Sequence, residues 1–345
     1  PICYSFSKPK PNVLFIAIDD LNDWTGFLGG HPQARTPNMD RLAEQGVVFR
    51  RHHIACPECN PSRAALLTGY HPKTTGFANN FSGEPPREWQ VSKENNVDYH
   101  QNGYDTPDLE NTVLMPQWFK QSGYYCMGIG KIFHHTETPH VDKENSWHEW
   151  SEIAFAPTVN LPRDNSGLYK PPVQWLDWGP VDYDKTDMAD YRRAEWTVNQ
   201  LKSYDRDDPF FLAVGFQKPH DPFFAPREYF DRFPPAEEIE PPVILDNKSG
   251  DDLDDLPYKG RILADKGDPE QGYGKNDYEI IRDSGKHRVQ EVARAYLATI
   301  NYVDECIGMV LDALENSKFK DNTIVVLWSD HGWHLGEKLH YHKFT

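Results

Sequence analysis

The chain has 345 residues and a formal net charge of −17, from 53 acidic and 36 basic side chains. So acidic a protein is a poor candidate for non-specific nucleic-acid binding, and it can bind an anionic substrate only through a local basic pocket. No apolar run approaches the roughly 18 residues of a membrane span. Ten Trp, 17 Tyr and 18 Phe supply ample material for a core. We therefore expect a globular protein with no membrane span and no nucleic-acid partner.

Predicted strands and helices alternate along the chain. Short apolar runs predict strands at residues 12–18, 124–129, 210–215 and 323–328. Helices are predicted to open at Thr36-Pro37 and Pro61-Ser62, to stop at Gly46 and Gly69, and to cover residues 115–122, 188–203 and 287–315. The alternation predicts an α/β fold in which a large, mainly parallel sheet is flanked by helices.

Three segments have little periodicity and are predicted to be long surface loops: residues 78–111, 134–186 and 246–275. We treat residues 1–345 as a single domain that carries these excursions. Residues 1–11 lack the apolar segment of a signal peptide, so the chain is either cytosolic or follows a leader that has been removed.

Acidic pairs follow two of the predicted strands. Asp19-Asp20 ends the first strand, and Asp330-His331 follows the last. A single pair of this kind is usually a solvated turn. Two pairs at equivalent strand ends together offer three carboxylates and an imidazole at the sheet edge where α/β proteins bind ligands. This set suits a hard divalent ion, Ca²⁺ in preference to Mg²⁺ or Zn²⁺.

Cys59 stands just before the predicted helix that Pro61-Ser62 opens, so the partial positive charge of the helix end favours an anion beside it. Taken alone, a buried structural cysteine is the simpler interpretation. The spacing of Cys56 and Cys59 is also compatible with zinc or a redox pair, although a zinc ribbon needs a second such pair. The count of five cysteines leaves at least one unpaired or chemically employed.

The segment Cys59-Asn60-Pro61-Ser62-Arg63, followed by Leu67-Thr68-Gly69, resembles the signature at which the formylglycine-dependent sulfatase family converts a cysteine to formylglycine. The resemblance runs from Pro11 to Lys343. It implies an alkaline-phosphatase-like sulfatase fold, a secreted, periplasmic or lysosomal enzyme, and a formylglycine-generating or sulfatase-maturing enzyme as partner. Family members usually continue into a smaller C-terminal subdomain, which we expect to be missing from this sequence.

Further segments are similar to the iduronate-2-sulfatase-like glycan sulfatases. These are 130–134 (Gly-Lys-x-Phe-His), 211–220, which ends in Lys-Pro-His, and 329–337 with Lys343 downstream. The resemblance implies metal ligation by Asp19, Asp20, Asp330, His331 and the modified Cys59. It implies that the sulfate is surrounded by Arg63, Lys131, His134, His220 and Lys343.

In this scheme a formylglycine hydrate attacks the sulfur of a sulfate ester with one hydroxyl. His134 is the expected base that later deprotonates the second hydroxyl, which expels sulfate, and His220 is the expected acid for the departing sugar oxygen. Lys131, Lys343, Arg63 and the metal would neutralise the developing charge. The expected substrate is a sulfated uronic acid or related sugar of an oligosaccharide or polysaccharide.

Three alternatives remain open at this point. The chain could be a phosphonate monoester or phosphodiester hydrolase of the same superfamily, some of which also use formylglycine. It could be a catalytically silent binder of sulfated glycans, or a redox or zinc protein built on Cys56 and Cys59.

Overall fold

The computed structural model describes residues 10–75, 77, 79–80, 112–134, 143–152, 166, 176–243, 253–258, 260–261, 277–285 and 287–343. The strands within these residues are β1 Asn12–Asp19, β2 Tyr125–Gly130, β3 Glu149–Ser151, β4 Trp178–Val181, β5 Phe210–Pro219, β6 Phe223–Pro226 and β7 Thr323–Ser329. The helices are α1 Pro37–Gln45, α2 Cys59–Thr68, α3 Pro72–Thr75, α4 Met115–Gln121, α5 Lys143–Ser146, α6 Ala189–Ser203, α7 Arg227–Asp231, α8 Asp277–Asp283 and α9 Arg288–Glu315.

The main sheet has the strand order β3-β2-β5-β1-β7, and each of its described pairings is parallel. A second, two-stranded sheet pairs β4 with β6. β1 lies between β5 and β7, and all eight of its residues are buried. Continuous burial is typical of a parallel strand covered by helices on both faces. The predicted α/β fold with a mainly parallel sheet is confirmed.

Side chains of β1 alternate between two apolar layers, as the two-residue period of a strand requires. Leu14, Ile16 and Ile18 pack into the larger core, which includes α9. Phe15 and Ala17 face the smaller one, on the side of α4. Each fully buried Leu or Ile contributes about 1.5–3 kcal/mol to folding. This packing fixes β1, and with it the carboxylates at its end.

The structure differs from two of the predictions about segments. Residues 134–186 are not loop throughout, because their described part contains α5, β3 and β4. α2 begins at Cys59 and not at Pro61, so the cysteine is the first residue of the helix. Residues 81–111 and most of 246–275 lie outside the described residues. No described helix is long and apolar enough to cross a membrane.

Candidate active site

The carboxyl ends of three parallel strands meet at one edge of the main sheet. Asp19 is the last residue of β1 and Asp20 follows it, Asp330 follows β7, and His220 follows β5. The backbone N–H of Asp330 donates to the carbonyl of Ile18 at 3.2 Å, which ties the ends of β1 and β7 together. The predicted meeting of the acidic pairs at one sheet edge is what the structure shows.

Five potential metal ligands converge at this edge. One atom from each lies within 4.8 Å of all the others, and the five are Asp19, Asp20, Cys59, Asp330 and His331. The three carboxylates are completely buried. Anionic groups held this close repel one another unless cations lie among them. A donor set dominated by carboxylate oxygens fits a hard divalent ion, with these five residues as its holders.

Cys59 lies at the centre of the cluster and is wholly buried. Its Sγ lies 3.1 Å from the Nε2 of His331, 3.1 Å from the Nζ of Lys343 and 3.5 Å from a carboxylate oxygen of Asp19. Burial alone would raise the pKa of this thiol, but the charges of Lys131, Lys343 and His331 hold it well below its usual range. The environment therefore favours an anion at position 59, as the start of a helix also does.

Arg63 is one turn further along α2, and its guanidinium is 1% exposed. It donates to Asp330 at 2.8 Å and to Asp19 at 3.1 Å, and it also bonds the backbone carbonyl of Lys131. The structure therefore places Arg63 behind the carboxylates, where it joins the ends of β1 and β7 to α2.

Lys131 follows β2 and reaches the carboxylate of Asp19 with its ammonium group. Two glycines make this approach possible. Gly130 has a φ of +77°, and a Cβ on Gly215 of the neighbouring strand would lie 2.2 Å from the backbone of Lys131. Because neither glycine has a side chain, the Lys131 N–H can approach and donate to the Gly215 carbonyl at 3.0 Å. The Gly-Lys order noted in the sequence thus has a steric reason.

Lys343 and the two candidate proton-transfer histidines, His134 and His220, complete the set of residues around Cys59. The Nζ of Lys343 lies 3.2 Å from Asp20 and 3.0 Å from the Nε2 of His220. His134 hydrogen-bonds to the side chain of Cys59. All ten residues named from the sequence for this site are therefore in the described part of the chain, and nine of them gather around Cys59.

Burial and neighbouring charge act against each other throughout the cluster. Burial raises the pKa of Asp330 to about 7 against the opposing charge of Arg63. Burial would lower the pKa of His331, but Asp330, Cys59 and Asp20 raise it to about 9. Positive and negative groups thus stabilise one another in a largely buried site.

Sequence reasoning missed three residues that touch the site. The hydroxyl of Tyr296 on α9 donates to the backbone carbonyl of Asp20, the carboxylate of Asp221 contacts the ring of His220, and the hydroxyl of Ser62 donates to the carbonyl of Asp330. Asp221 and Ser62 adjoin predicted site residues, so adjacency was an available signal. Tyr296 lies 276 positions from Asp20, and no local pattern marks it.

The family model named "Sulfatase" matches residues 11–345. The chain belongs to the sulfatase family. A sulfatase of Formosa agariphila is 37% identical over 335 residues, which cover 95% of this chain and 60% of that relative. The iduronate 2-sulfatase of Mus musculus is 29% identical over 346 residues, which cover 97% of this chain and 56% of the relative. The chain thus spans 56% to 60% of the length of these two relatives.

The fold is shared beyond sulfatases. The phosphonate monoester hydrolase of Agrobacterium radiobacter superposes with a TM-score of 0.62 at 20% identity, covering 97% of this sulfatase-family chain and 64% of its own. At that identity the likeness concerns the fold alone. The alkaline-phosphatase-like sulfatase fold expected from the sequence is confirmed. The fold does not show whether the substrate is a sulfate ester or a phosphonate ester.

Proposed function

We propose that this sulfatase-family protein hydrolyses sulfate esters on a sulfated sugar. One observation carries the proposal: the wholly buried Cys59 starts a helix and is enclosed by three carboxylates and by the ammonium groups of Lys131 and Lys343. Such a site combines a place for a hard cation with fixed positive charges, and both suit a tetrahedral anion that gains charge during cleavage.

In this proposal a formylglycine-generating or sulfatase-maturing enzyme converts Cys59 to formylglycine, whose hydrate offers one hydroxyl to attack sulfur and a second to release sulfate. Asp19, Asp20, Asp330 and His331, with residue 59, would hold one divalent ion, with Ca²⁺ preferred to Mg²⁺. That ion would draw negative charge from the sulfate oxygens. The two parts of this proposal can be tested separately. Asp19→Asn tests the metal site, and Cys59→Ala tests the nucleophile.

The chain's own cations orient the ester. Lys131 and Lys343 lie 3.6 Å and 3.1 Å from the Sγ of Cys59, so both ammonium groups reach a sulfate bound at that atom. Arg63 acts indirectly, through the carboxylates, because its donors are engaged by Asp19, by Asp330 and by backbone carbonyls. It keeps the carboxylates in place while the two lysines meet the substrate.

Two histidines are assigned the proton transfers. His134 bonds the side chain at position 59, so it is placed to deprotonate the second hydroxyl there. His220 is more open than His331, with 21% of its side chain exposed against 0% for His331. It therefore lies toward the solvent side, where the departing sugar oxygen needs a proton.

The proposed substrate class is a sulfated uronic acid or related sugar of an oligosaccharide or polysaccharide. The relative named iduronate 2-sulfatase supports it, together with the Gly-Lys-x-Phe-His and Lys-Pro-His segments. A secreted, periplasmic or lysosomal location accords with this substrate class and with the maturation step.

The test is a comparison of kcat/KM for three 4-nitrophenyl esters, a sulfate, a phosphonate monoester and a phosphodiester, using the matured protein. Defined sulfated oligosaccharides follow. We expect the sulfate to be turned over fastest and Cys59→Ala to be inactive. Faster cleavage of the phosphonate would replace the proposal with its superfamily rival. Glycan binding without turnover of any ester would make the protein a silent binder.

A further inference from the structure

The carboxylate of Asp221 lies against the ring of His220, at its Nδ1 atom. We propose that Asp221 is a positioning residue: it holds the imidazole so that Nε2 faces the reacting groups. This inference rests on the proposed sulfatase function, in which His220 protonates the leaving oxygen.

The two ring nitrogens of His220 have different surroundings. Nδ1 lies 2.9 Å from the Oδ1 of Asp221 and 2.7 Å from the backbone carbonyl of the same residue. Nε2 lies 3.0 Å from the Nζ of Lys343 and 3.7 Å from a carboxylate oxygen of Asp20. Both acceptors from Asp221 therefore address Nδ1, which leaves Nε2 directed into the site.

The backbone that carries His220 and Asp221 is held in place by further hydrogen bonds. The Nζ of Lys218, which is 6% exposed, donates to the carbonyls of His220 at 3.0 Å and Pro222 at 2.5 Å. The carboxylate of Asp190 on α6 accepts the backbone N–H groups of Gln217 and Lys218 at 2.9 and 2.8 Å. The turn after β5 therefore has little freedom, and the place of the Asp221 carboxylate is set by the fold.

Orientation matters because an acid acts only within hydrogen-bond reach of the oxygen it protonates. The hydrogen bond made by one imidazole nitrogen determines which nitrogen is presented to the reaction. The backbone carbonyl of Asp221 alone leaves one acceptor for Nδ1. The carboxylate adds a second, so rotation of the ring breaks two contacts instead of one.

The experiment uses the matured, full chain and four variants: Asp221→Ala, Asp221→Asn, His220→Ala and the double variant with alanine at both positions. Asparagine keeps a carbonyl acceptor for Nδ1, whereas alanine does not. Asp182→Ala is the matched control, because Asp182 is 76% exposed, pairs with Arg227 and makes no described contact with His220. Substrates are aryl sulfates of graded leaving-group pKa.

We expect Asp221→Ala to lose on the order of 10- to 100-fold in kcat/KM on the poorest leaving group and less on 4-nitrophenyl sulfate, with Asp221→Asn and Asp182→Ala close to wild type. His220→Ala should lose on the order of 10²–10⁴ on poor leaving groups. The double variant should be no worse than His220→Ala, because Asp221 acts only through that ring.

Full additivity in the double variant, a loss in Asp221→Ala that is the same for every leaving group, or an equal loss in Asp221→Asn would overturn the positioning role. Absence of sulfate-ester turnover in the wild type would instead overturn the proposed function. In that case the crystal structure of Asp221→Ala still decides the inference. We expect its His220 ring to be rotated or split between two orientations, and an unchanged ring contradicts the inference.

Discussion

The hydroxyl of Tyr296 donates a hydrogen bond of 2.7 Å to the backbone carbonyl of Asp20 and accepts one of 3.0 Å from the backbone N–H of Asn22. Asp20 has a φ of +62°, in the left-handed region that non-glycine residues seldom adopt. A side chain from α9 thus holds the turn in which the Asp20 carboxylate is aimed at the cluster. Backbone strain of this kind, of order 1–3 kcal/mol, persists only where the surroundings impose it.

We therefore expect Tyr296→Phe to weaken binding of a divalent ion, because the turn loses a restraint while the core keeps its ring. The loss in Ca²⁺ affinity, measured by calorimetry on the metal-free protein, should be on the order of 10-fold. Tyr302→Phe is the matched control, since Tyr302 is equally buried on the same helix but bonds the backbone of Tyr191. Equal Ca²⁺ affinity in wild type and Tyr296→Phe would show that Tyr296 does not position Asp20.

Cys59, and not Cys56, should be the precursor of the nucleophile. Burial, together with Glu58, raises the pKa of the Cys56 thiol to about 11, whereas cations hold that of Cys59 low. Mass spectrometry of peptides from protein made together with a maturing enzyme should show formylglycine at position 59 only. Cys59→Ala should lose at least about 10³-fold in turnover while Cys56→Ala stays near wild type. An active Cys59→Ala protein would refute the mechanism.

Asp19→Asn should lose the divalent ion and nearly all turnover. The substitution removes a ligand charge and leaves the buried cations of Arg63 and Lys131 without their shared partner. Metal content after dialysis into Ca²⁺ buffer, measured by elemental analysis, is the readout. Asp23→Asn, four residues further on and exposed, serves as the control. A full complement of ion in Asp19→Asn would place the metal elsewhere.

The fold was predictable because its signals are local. Each strand of the main sheet except β3 was predicted within a few residues, since buried parallel strands are continuous apolar runs. β3 was not predicted, because it is only three residues long and lies in a polar, aromatic segment. Trp147, two residues before β3, is 4% exposed and packs against Phe211, a role that composition could not show.

The sequence predicted which residues gather at this sheet edge but not how they are arranged. Motif order identified Arg63 and Lys131, yet only the structure shows that Arg63 faces the carboxylates from behind. Contacts between distant elements, such as that of Tyr296 with Asp20, depend on how α9 packs against the main sheet. Packing of that kind leaves no periodic trace in the sequence.

A last relationship lies away from the site and governs stability. Asp304 on α9 accepts the backbone N–H groups of Asn38 at 3.2 Å and Met39 at 2.9 Å, in the first turn of α1, together with the Asn38 side-chain amide. α1 has no side-chain cap of its own at Thr36, so Asp304 supplies it from another helix. Burial raises the pKa of this carboxyl to about 6, against these hydrogen bonds and with a further contribution from Asp40.

Because the folded-state pKa of Asp304 lies above its ordinary value of 3.8, the native protein binds the proton more tightly than the unfolded chain between about pH 4 and pH 6. The contribution of Asp304 to the free energy of unfolding therefore falls as pH rises through that window, by up to about 3 kcal/mol. Asp304→Asn cannot titrate, so wild type should lose stability relative to this variant between about pH 4 and pH 6 in urea unfolding. The contributions of other titrating groups cancel in the difference between the two free energies of unfolding.

Asp304→Ala is the control: it lacks the hydrogen bonds as well, yet the difference between its free energy of unfolding and that of Asp304→Asn should not depend on pH. A gap between wild type and Asp304→Asn that stays constant with pH would mean that the capping carboxyl titrates alike in both states.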